Sequence, residues 1–355
     1  MGKYSHPPKM RLLIVTQKVN RHDPVLGFFC RWIEEFAKRC KFVTVICLEM
    51  GEYDLPINTK VLSLGKENKY SRVRYIIHFY KYIWRERKNY DAVFVHMNQE
   101  YILFGGLFWK FCGKKIVMWR NHYAGNILTD ISSLLCNRVF CTSRYSYTAK
   151  YKKTQIMPVG INTEMFRPHP QILQISRSIL MLGRVSPSKN LDLIIAALGK
   201  LKELGVSFSA DIYGDALTKD KLYFESLRQE VKKLNLEEQT FFYSGVSNEK
   251  TPNIYRVHQI FINASPTGMY DKTILEAAAC GCQVLAVSAD AHMDVPSIVK
   301  FSADDKENLV ELLKEKLETK SDNLFAQGQY EIVETKHGLG ALVSSVMKEL
   351  SGLSL

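Results

Sequence analysis

Residues 178–204 read SILMLGRVSPSKNLDLIIAALGKLKEL. The first five form a short apolar run rich in strand formers, closed by Gly183-Arg184. From Lys189 to Leu204 the pattern changes period: Leu191, Ile194, Ile195, Leu198 and Leu201 fall on one helical stripe. A strand that turns through glycine into an amphipathic helix is half of a βαβ unit, which calls for a parallel sheet. The alternation continues downstream, with strands at 207–213, 240–243, 259–263 and 283–287. Helices are expected at 219–234, near 253–257, at 272–280 and at 306–318. Upstream of the proline-marked linker 166–170 it holds as well, with strands at 10–16, 42–48, 60–64, 91–96, 115–119, 139–142 and 154–157. Helices there are expected at 25–39, 70–88, 100–111 and 127–136, and a last amphipathic helix at 339–350. The predicted fold class is α/β: two doubly wound Rossmann-like domains, 1–165 and 166–337, facing a central cleft. In such sheets ligands bind at the carboxyl ends of the strands.

Length and composition agree. The chain has 355 residues, 46% apolar and 24% charged, which suits two globular domains and excludes whole-chain disorder. The longest uncharged apolar run, Tyr101 to Trp109, stops at Lys110, far short of the ~20 residues of a spanning helix. Leu12 to Val15 is too short for a secretory h-region, and the Met1-Gly2 start lacks the Ser or Thr that myristoylation wants where His6 stands. A cytoplasmic protein is expected. The eight cysteines contain no CxxC pair and sit mostly among apolar residues, as buried reduced thiols do. Charge is uneven: residues 1–165 carry 27 Lys+Arg against 12 Asp+Glu, and residues 166–355 carry 21 against 24. A polyanionic partner for the first half follows: nucleic acid, anionic lipid or a phosphorylated substrate.

The usual cofactor signatures are absent. No G-x-G-x-x-G follows a strand, no P-loop occurs, there is no HExxH pair, and no two aspartates stand two apart to grip a metal–diphosphate complex. A phosphate ligand would then be neutralised by side chains and helix ends. Arg184 offers a planar fork of donors and Lys189 a mobile point charge, a sensible pair for a diphosphate; singly, each reads as a surface cation. The stretch Ser265-Pro-Thr-Gly-Met-Tyr-Asp-Lys-Thr-Ile-Leu-Glu-Ala-Ala-Ala-Cys-Gly281 runs a glycine-bearing loop into a helix whose free N–H groups can receive an anion. Glu276, one turn inside among alanines, can hold the two hydroxyls of a ribose. Gly214 and Gly245 close strands where a base or sugar would sit, and serve equally well as simple turn glycines.

These residues resemble a family 4 glycosyltransferase of the GT-B fold. The match lies in Pro158-Val-Gly-Ile-Asn with Phe166 and Pro168, Gly183-Arg184 with Lys189-Asn190, Tyr213-Gly-Asp215, Phe242-Tyr-Ser-Gly245 and Leu275-Glu-Ala-Ala-Ala-Cys-Gly281. It is most specific in the second half. The resemblance implies a C-terminal nucleotide-sugar domain, an N-terminal acceptor domain, and a final helix, 338–355, packing back on the N-terminal domain. It gives Arg184 and Lys189 the donor diphosphate and Glu276 the ribose. Gly27, in the loop after the first strand, would let backbone approach the diphosphate, and His122 in Arg120-Asn-His-Tyr would lie near the donor sugar. The family carries two glutamates eight positions apart, the first touching that sugar; here Gly268 stands in its place. Asp271 and Lys272 are the expected replacement, with helix capping as the other role for Asp271, and Thr273 is expected among the donor-binding residues.

The resulting expectation is a retaining, metal-independent transferase that uses a nucleoside diphosphate sugar, UDP before GDP, as substrate and needs no cofactor. The acceptor would be a glycan or lipid-linked hydroxyl in cell-surface polysaccharide synthesis. Alternatives are an impaired binding or regulatory protein and a sugar-nucleotide epimerase. Nucleic-acid binding has charge alone in its favour. The segment 70–88 interleaves Arg72, Arg74, Lys81, Arg85, Arg87 and Lys88 with Tyr75, Phe79, Tyr82 and Trp84. It suits an anionic membrane surface at the inner face of the plasma membrane, or an ordinary domain helix with a solvated charged face.

Overall fold

The computed structural model of the chain describes residues 10–268, 270–319 and 322–353. The Met1-Gly2 start, Met269 of the glycine-bearing loop, and Ser354 and Leu355 of the expected 338–355 segment lie outside the described residues. Two compact units result: 1–160 with 339–355, and 161–338.

The first unit runs β1 (Arg11–Val19), α1 (Phe28–Arg39), β2 (Phe42–Met50), β3 (Thr59–Ser63), α2 (Arg72–Arg85), β4 (Ala92–His96) and α3 (Glu100–Phe111). It continues with β5 (Lys115–Trp119), α4 (Ile127–Leu135), β6 (Arg138–Cys141) and β7 (Thr154–Ile156). Its sheet is parallel, in the order β3-β2-β1-β4-β5-β6-β7. Strands β1, β2 and β4 are buried along most of their length, as central parallel strands must be. Trp32, Ile33 and Phe36 of α1 fill one face of this sheet.

The second unit contains β8 (Ile175–Leu182), α5 (Leu191–Glu203), β9 (Ser209–Tyr213), α6 (Lys221–Lys233), β10 (Thr240–Tyr243), α7 (Thr251–Val257) and β11 (His258–Asn263). Then come α8 (Lys272–Ala279), β12 (Gln283–Ala286), α9 (Ala289–Asp294), β13 (Val299–Lys300), α10 (Lys306–Glu318) and α11 (Asn323–His337). The strand order is β10-β9-β8-β11-β12-β13, again all parallel. The stripe Leu191, Ile194, Ile195, Leu198 and Leu201 packs into the core that holds Ile179, Ala210, Ile212 and Ile260. The chain then returns to the first unit through α12 (Leu339–Gly352), whose Leu342, Val343, Val346 and Leu350 join Trp32 and Phe36.

Several boundaries differ from the sequence reading. Helix α1 starts at Phe28, because Asp23 folds 23–27 into a turn by accepting from the N–H groups of Val25 and Leu26. Helix α5 starts at Leu191: a 3₁₀ turn, Pro187–Lys189, precedes it, and Asn190 adopts a left-handed conformation (φ 47°). Helix α11 has no counterpart in the reading. Its buried residues, Gln329, Val333 and His337, are mostly polar, so no apolar stripe announces it. Gln329 instead donates to the Cys282 carbonyl (2.9 Å) and accepts from Ser297 (2.9 Å).

Candidate functional site

Each sheet reverses its strand order once near the middle, between β1 and β4 in the first unit and between β8 and β11 in the second. Ligands of such sheets bind at that crevice, outside the carboxyl ends. In the second unit β8 ends at Gly183-Arg184 and β11 at Asn263, followed by Ala264-Ser265. Five polar side chains meet there. The Lys189 ammonium forms an ion pair with Asp271 and donates to Ser265 Oγ (3.0 Å). Asn263 Nδ2 donates to Asp271 Oδ2 (3.1 Å) and to Thr273 Oγ1 (3.2 Å), while its Oδ1 accepts from the Ser265 N–H (3.0 Å). Burial pushes the Asp271 carboxyl upward, but Lys189 and these hydrogen bonds outweigh it, and the group is held below the ordinary carboxylate range.

Asp271 also caps α8, accepting from the Thr273 N–H (3.3 Å). The capping role is thus present, and it coexists with an ion pair that spacing alone did not disclose. Inside the helix Glu276 is buried, and its Oε2 accepts from the Tyr255 hydroxyl (3.3 Å). Burial raises this carboxyl well above its usual range, opposed by Lys272 one turn earlier; burial likewise lowers the Lys272 ammonium. A carboxylate among Ile274, Leu275 and three alanines is expensive unless partnered, and Tyr255 and Lys272 are the partners here. Arg184 is exposed and makes no ion pair among the described residues. It borders a small cavity with Gly183, Lys189, Tyr213 and Asn263.

The glycines have local reasons. A Cβ on Gly214 would stand 1.9 Å from the Gly183 carbonyl oxygen, and one on Gly245 2.7 Å from an Asp215 carboxylate oxygen. Close packing of successive strand ends accounts for both, which is the turn-glycine alternative. Beside them the rings of Tyr213 and Tyr243 stack at 4.5 Å. Gly268, where the family's first glutamate would be, has φ +98°, a conformation that a glutamate adopts only with strain.

Two expected site residues lie in the first unit. Gly27 is buried, its N–H donates to the Asp23 carbonyl (2.9 Å), and a Cβ would meet the carbonyls of Asp23 and Arg21 at 2.6 and 2.7 Å. Its own loop therefore demands the glycine and uses its N–H. His122 sits in the loop after β5, stacked on Tyr123 (4.6 Å), and its Nδ1 accepts from the Ala124 N–H (2.9 Å). Asn263, Ser265 and Tyr255 escaped the sequence reading. Asn263 was the detectable one, an amide at the carboxyl end of the buried strand His258–Asn263.

Residues 164–335 match the family Glycosyl transferases group 1. That match takes in nearly the whole of the second unit. Among curated proteins this chain is similar to mannosylfructose-phosphate synthase of Agrobacterium fabrum, 27% identical over 38% of this chain and 32% of that protein. It is also similar to the gpi3 component of phosphatidylinositol N-acetylglucosaminyltransferase from Schizosaccharomyces pombe, 21% identical over 52% of this chain and 41% of that one. The match thus spans well under half the length of either relative. Among solved structures, Anabaena HepE in complex with UDP and glucose superposes with a TM-score of 0.77 at 16% identity, over 97% of this chain and 100% of that one. WaaG, a glycosyltransferase of lipopolysaccharide biosynthesis, gives 0.66 at 16% identity, over 96% and 100%. The fold is GT-B, built of two parallel-sheet α/β domains.

Proposed function

We propose that the chain transfers a sugar from a nucleoside diphosphate sugar, UDP before GDP, to an acceptor hydroxyl with retention of configuration. The observation that carries this reading is the convergence of Lys189, Asp271, Asn263 and Ser265 on the switch point of the second sheet, with Glu276 one turn inside α8. Arg184 and Lys189 would hold the diphosphate, helped by the positive end of α8. Glu276, ionised, would accept from the ribose hydroxyls, and the aromatic face of Tyr213 and Tyr243 suits a base. As the glycosidic bond to phosphate breaks, charge grows on the diphosphate, and fixed cations there lower the barrier without a resident metal or cofactor. The leaving phosphate oxygen can take the acceptor's proton. UDP is favoured because structures of similar fold were solved with it. A glycan or lipid-linked acceptor, used on the cytoplasmic side of the membrane in cell-surface polysaccharide synthesis, is supported by the relative that acts on phosphatidylinositol and by the basic first half.

The test is a panel of nucleotide sugars read by thermal shift and by nucleotide release. A ligand at 100 times its Kd stabilises by about 2.7 kcal/mol, enough to move the melting temperature visibly. Stabilisation by UDP with acceptor-dependent release is expected. Isomerisation of the donor without acceptor, or no stabilisation by any nucleotide, would overturn the assignment.

A further inference from the structure

Helix α4 is built inside out. The side chains it buries are Thr129, Ser132 and Ser133, whereas Ile127, Leu128, Ile131 and Leu134 are exposed, Leu134 to 71%. A domain helix normally does the reverse. The polar side is tied down: Thr129 Oγ1 donates to Gln99 Oε1 (2.6 Å) and Ser132 Oγ to the Gln99 carbonyl (3.3 Å). The apolar side is thus aimed outward by specific bonds.

Its neighbours extend the same surface. Helix α3 exposes Phe104, Leu107 and Phe111, the last to 92%, at helical spacing. Helix α2 exposes Val73, Ile77, Tyr80 and Trp84 while burying Phe79 and Ile83. The three helices are joined edge to edge. The Tyr80 hydroxyl donates to the Phe104 carbonyl (3.0 Å), Trp84 packs on Phe108 (5.9 Å), and Lys110 donates to the Leu134 carbonyl (3.3 Å). An apolar face of this extent does not stay in water by default.

We propose that this three-helix face is where the first unit docks on an anionic phospholipid bilayer. The chemistry around the apolar stripes selects that occupant. Helix α2 carries Arg72, Arg74, Lys81 and Arg85 and no acidic residue, and Arg87 and Lys88 follow its end. Arg74 lies over the Tyr70 ring (3.6 Å) and Arg87 over Trp84 (4.1 Å), pairing cation and aromatic as an interface of headgroup and acyl chain favours. On the other two helices the acidic residues are Glu100 and Asp130, and Asp130 is engaged by Lys150, Tyr147 and Tyr151. Among the described residues no helix is long and apolar enough to cross a membrane, so the face would lie on the bilayer. The segment 70–88 is therefore one third of the surface, and α4 its most diagnostic part.

The full chain is sedimented with phosphatidylcholine vesicles with and without phosphatidylglycerol, at low and at physiological salt. Binding that needs phosphatidylglycerol and weakens with salt is expected. The double variant Leu107→Asp, Leu134→Asp should lower vesicle affinity by roughly tenfold or more while raising solubility. Should that variant misfold, Arg72→Glu with Arg74→Glu is the alternative, expected to remove the preference for phosphatidylglycerol. No vesicle binding at low salt overturns the proposal. So does binding indifferent to both variants, or a self-associated chain that Leu107→Asp, Leu134→Asp dissociates, which would make a second copy the occupant. Nucleotide stabilisation of the second unit is measured in parallel, so failure here and failure of the donor site are separate results.

Discussion

At the ends of β1 and β4 the first unit places His96 against Phe29, ring on ring at 3.9 Å, and bonds its Nδ1 to Thr16 (3.2 Å). At the corresponding ends of β8 and β11 the second unit places Lys189, Asp271, Asn263 and Ser265. The topology is shared, and so is the crevice it makes; the chemistry is not. One switch point is filled by aromatic packing, with a single imidazole buried in it. The other holds a charged network and a helix N-terminus. The difference teaches that topology supplies the location of a site, while side chains decide whether an anion can be held there.

Glycine substitutions probe the framework on both sides of the comparison and carry the largest expected effects. Gly214→Ala forces a Cβ to 1.9 Å from the Gly183 carbonyl oxygen, backbone against backbone with little room to relax. A loss of at least ~3 kcal/mol is expected, read as a collapse of the melting transition. Gly27→Ala meets two carbonyls at 2.6 and 2.7 Å and should cost less, about 2 kcal/mol, without altering UDP affinity in the folded fraction. Loss of UDP binding by a folded Gly27→Ala protein would place that glycine at the donor site.

The cations of the second switch point separate next. Arg184→Ala should weaken UDP binding by roughly tenfold or more, the cost of a charge-assisted bond, and leave the melting temperature alone, since Arg184 is exposed. Lys189→Ala should weaken binding and also destabilise by roughly 1–3 kcal/mol, because it strands Asp271 without the cation it was paired with. Asp271 is held below its ordinary range, so its contribution is present above about pH 4 and is lost as pH falls through the depressed value. The stability gap between the native chain and Lys189→Ala should therefore close on acidification. A gap that stays constant, or a Lys189→Ala protein as stable as Arg184→Ala, breaks the assignment of the pair.

The two switch points were not equally legible. Strand and helix order came through in the first unit and as far as β12 in the second, since buried parallel strands and the stripe Leu191 to Leu201 follow directly from periodicity. Arg184, Lys189 and Glu276 were marked by contrast, charged groups beside glycine or inside an apolar run. The Lys189–Asp271 pair spans 82 positions and leaves no local trace, and Asn263 is set by where β11 stops. His96 went unnoticed because one histidine ending a strand looks like any other. Helix α11 was missed because its buried face is amide and imidazole. Polar packing has no period that distinguishes it from a solvated surface.

A pH dependence follows from Glu276. Burial, opposed by Lys272, raises its carboxyl to about 7. Only the ionised form accepts from both ribose hydroxyls, so UDP affinity should hold above that value and weaken as pH falls through it, by up to roughly tenfold for each unit of pH well below. Glu276→Gln, with one acceptor and no titration, should bind weakly at every pH and show a flat profile. A Glu276→Gln protein that kept the slope would place the titrating residue elsewhere.

The smallest effect is expected at Asp271, and it sharpens what the charged network is for. Asn caps a helix about as well as Asp, so Asp271→Asn keeps the bond to the Thr273 N–H and α8 should persist. What changes is the other oxygen. Oδ2 accepts from Asn263 and pairs with Lys189, and an amide there brings a donor among donors or turns its single oxygen away from the cap. Lys189 is then released, and a negative charge disappears from the edge of an anion site. Free UDP should bind about as tightly as before or up to roughly threefold tighter, since the diphosphate no longer competes with a carboxylate for the ammonium. Turnover of a UDP-sugar should fall by a few-fold, because the same carboxylate is the expected substitute for the glutamate that Gly268 replaces. Wild-type turnover in Asp271→Asn would confine the residue to capping and to holding Lys189. The sugar contact would then have to come from Lys272 or Thr273 at the same helix end, and Thr273→Val, which keeps shape and removes the hydroxyl, would be the variant to measure.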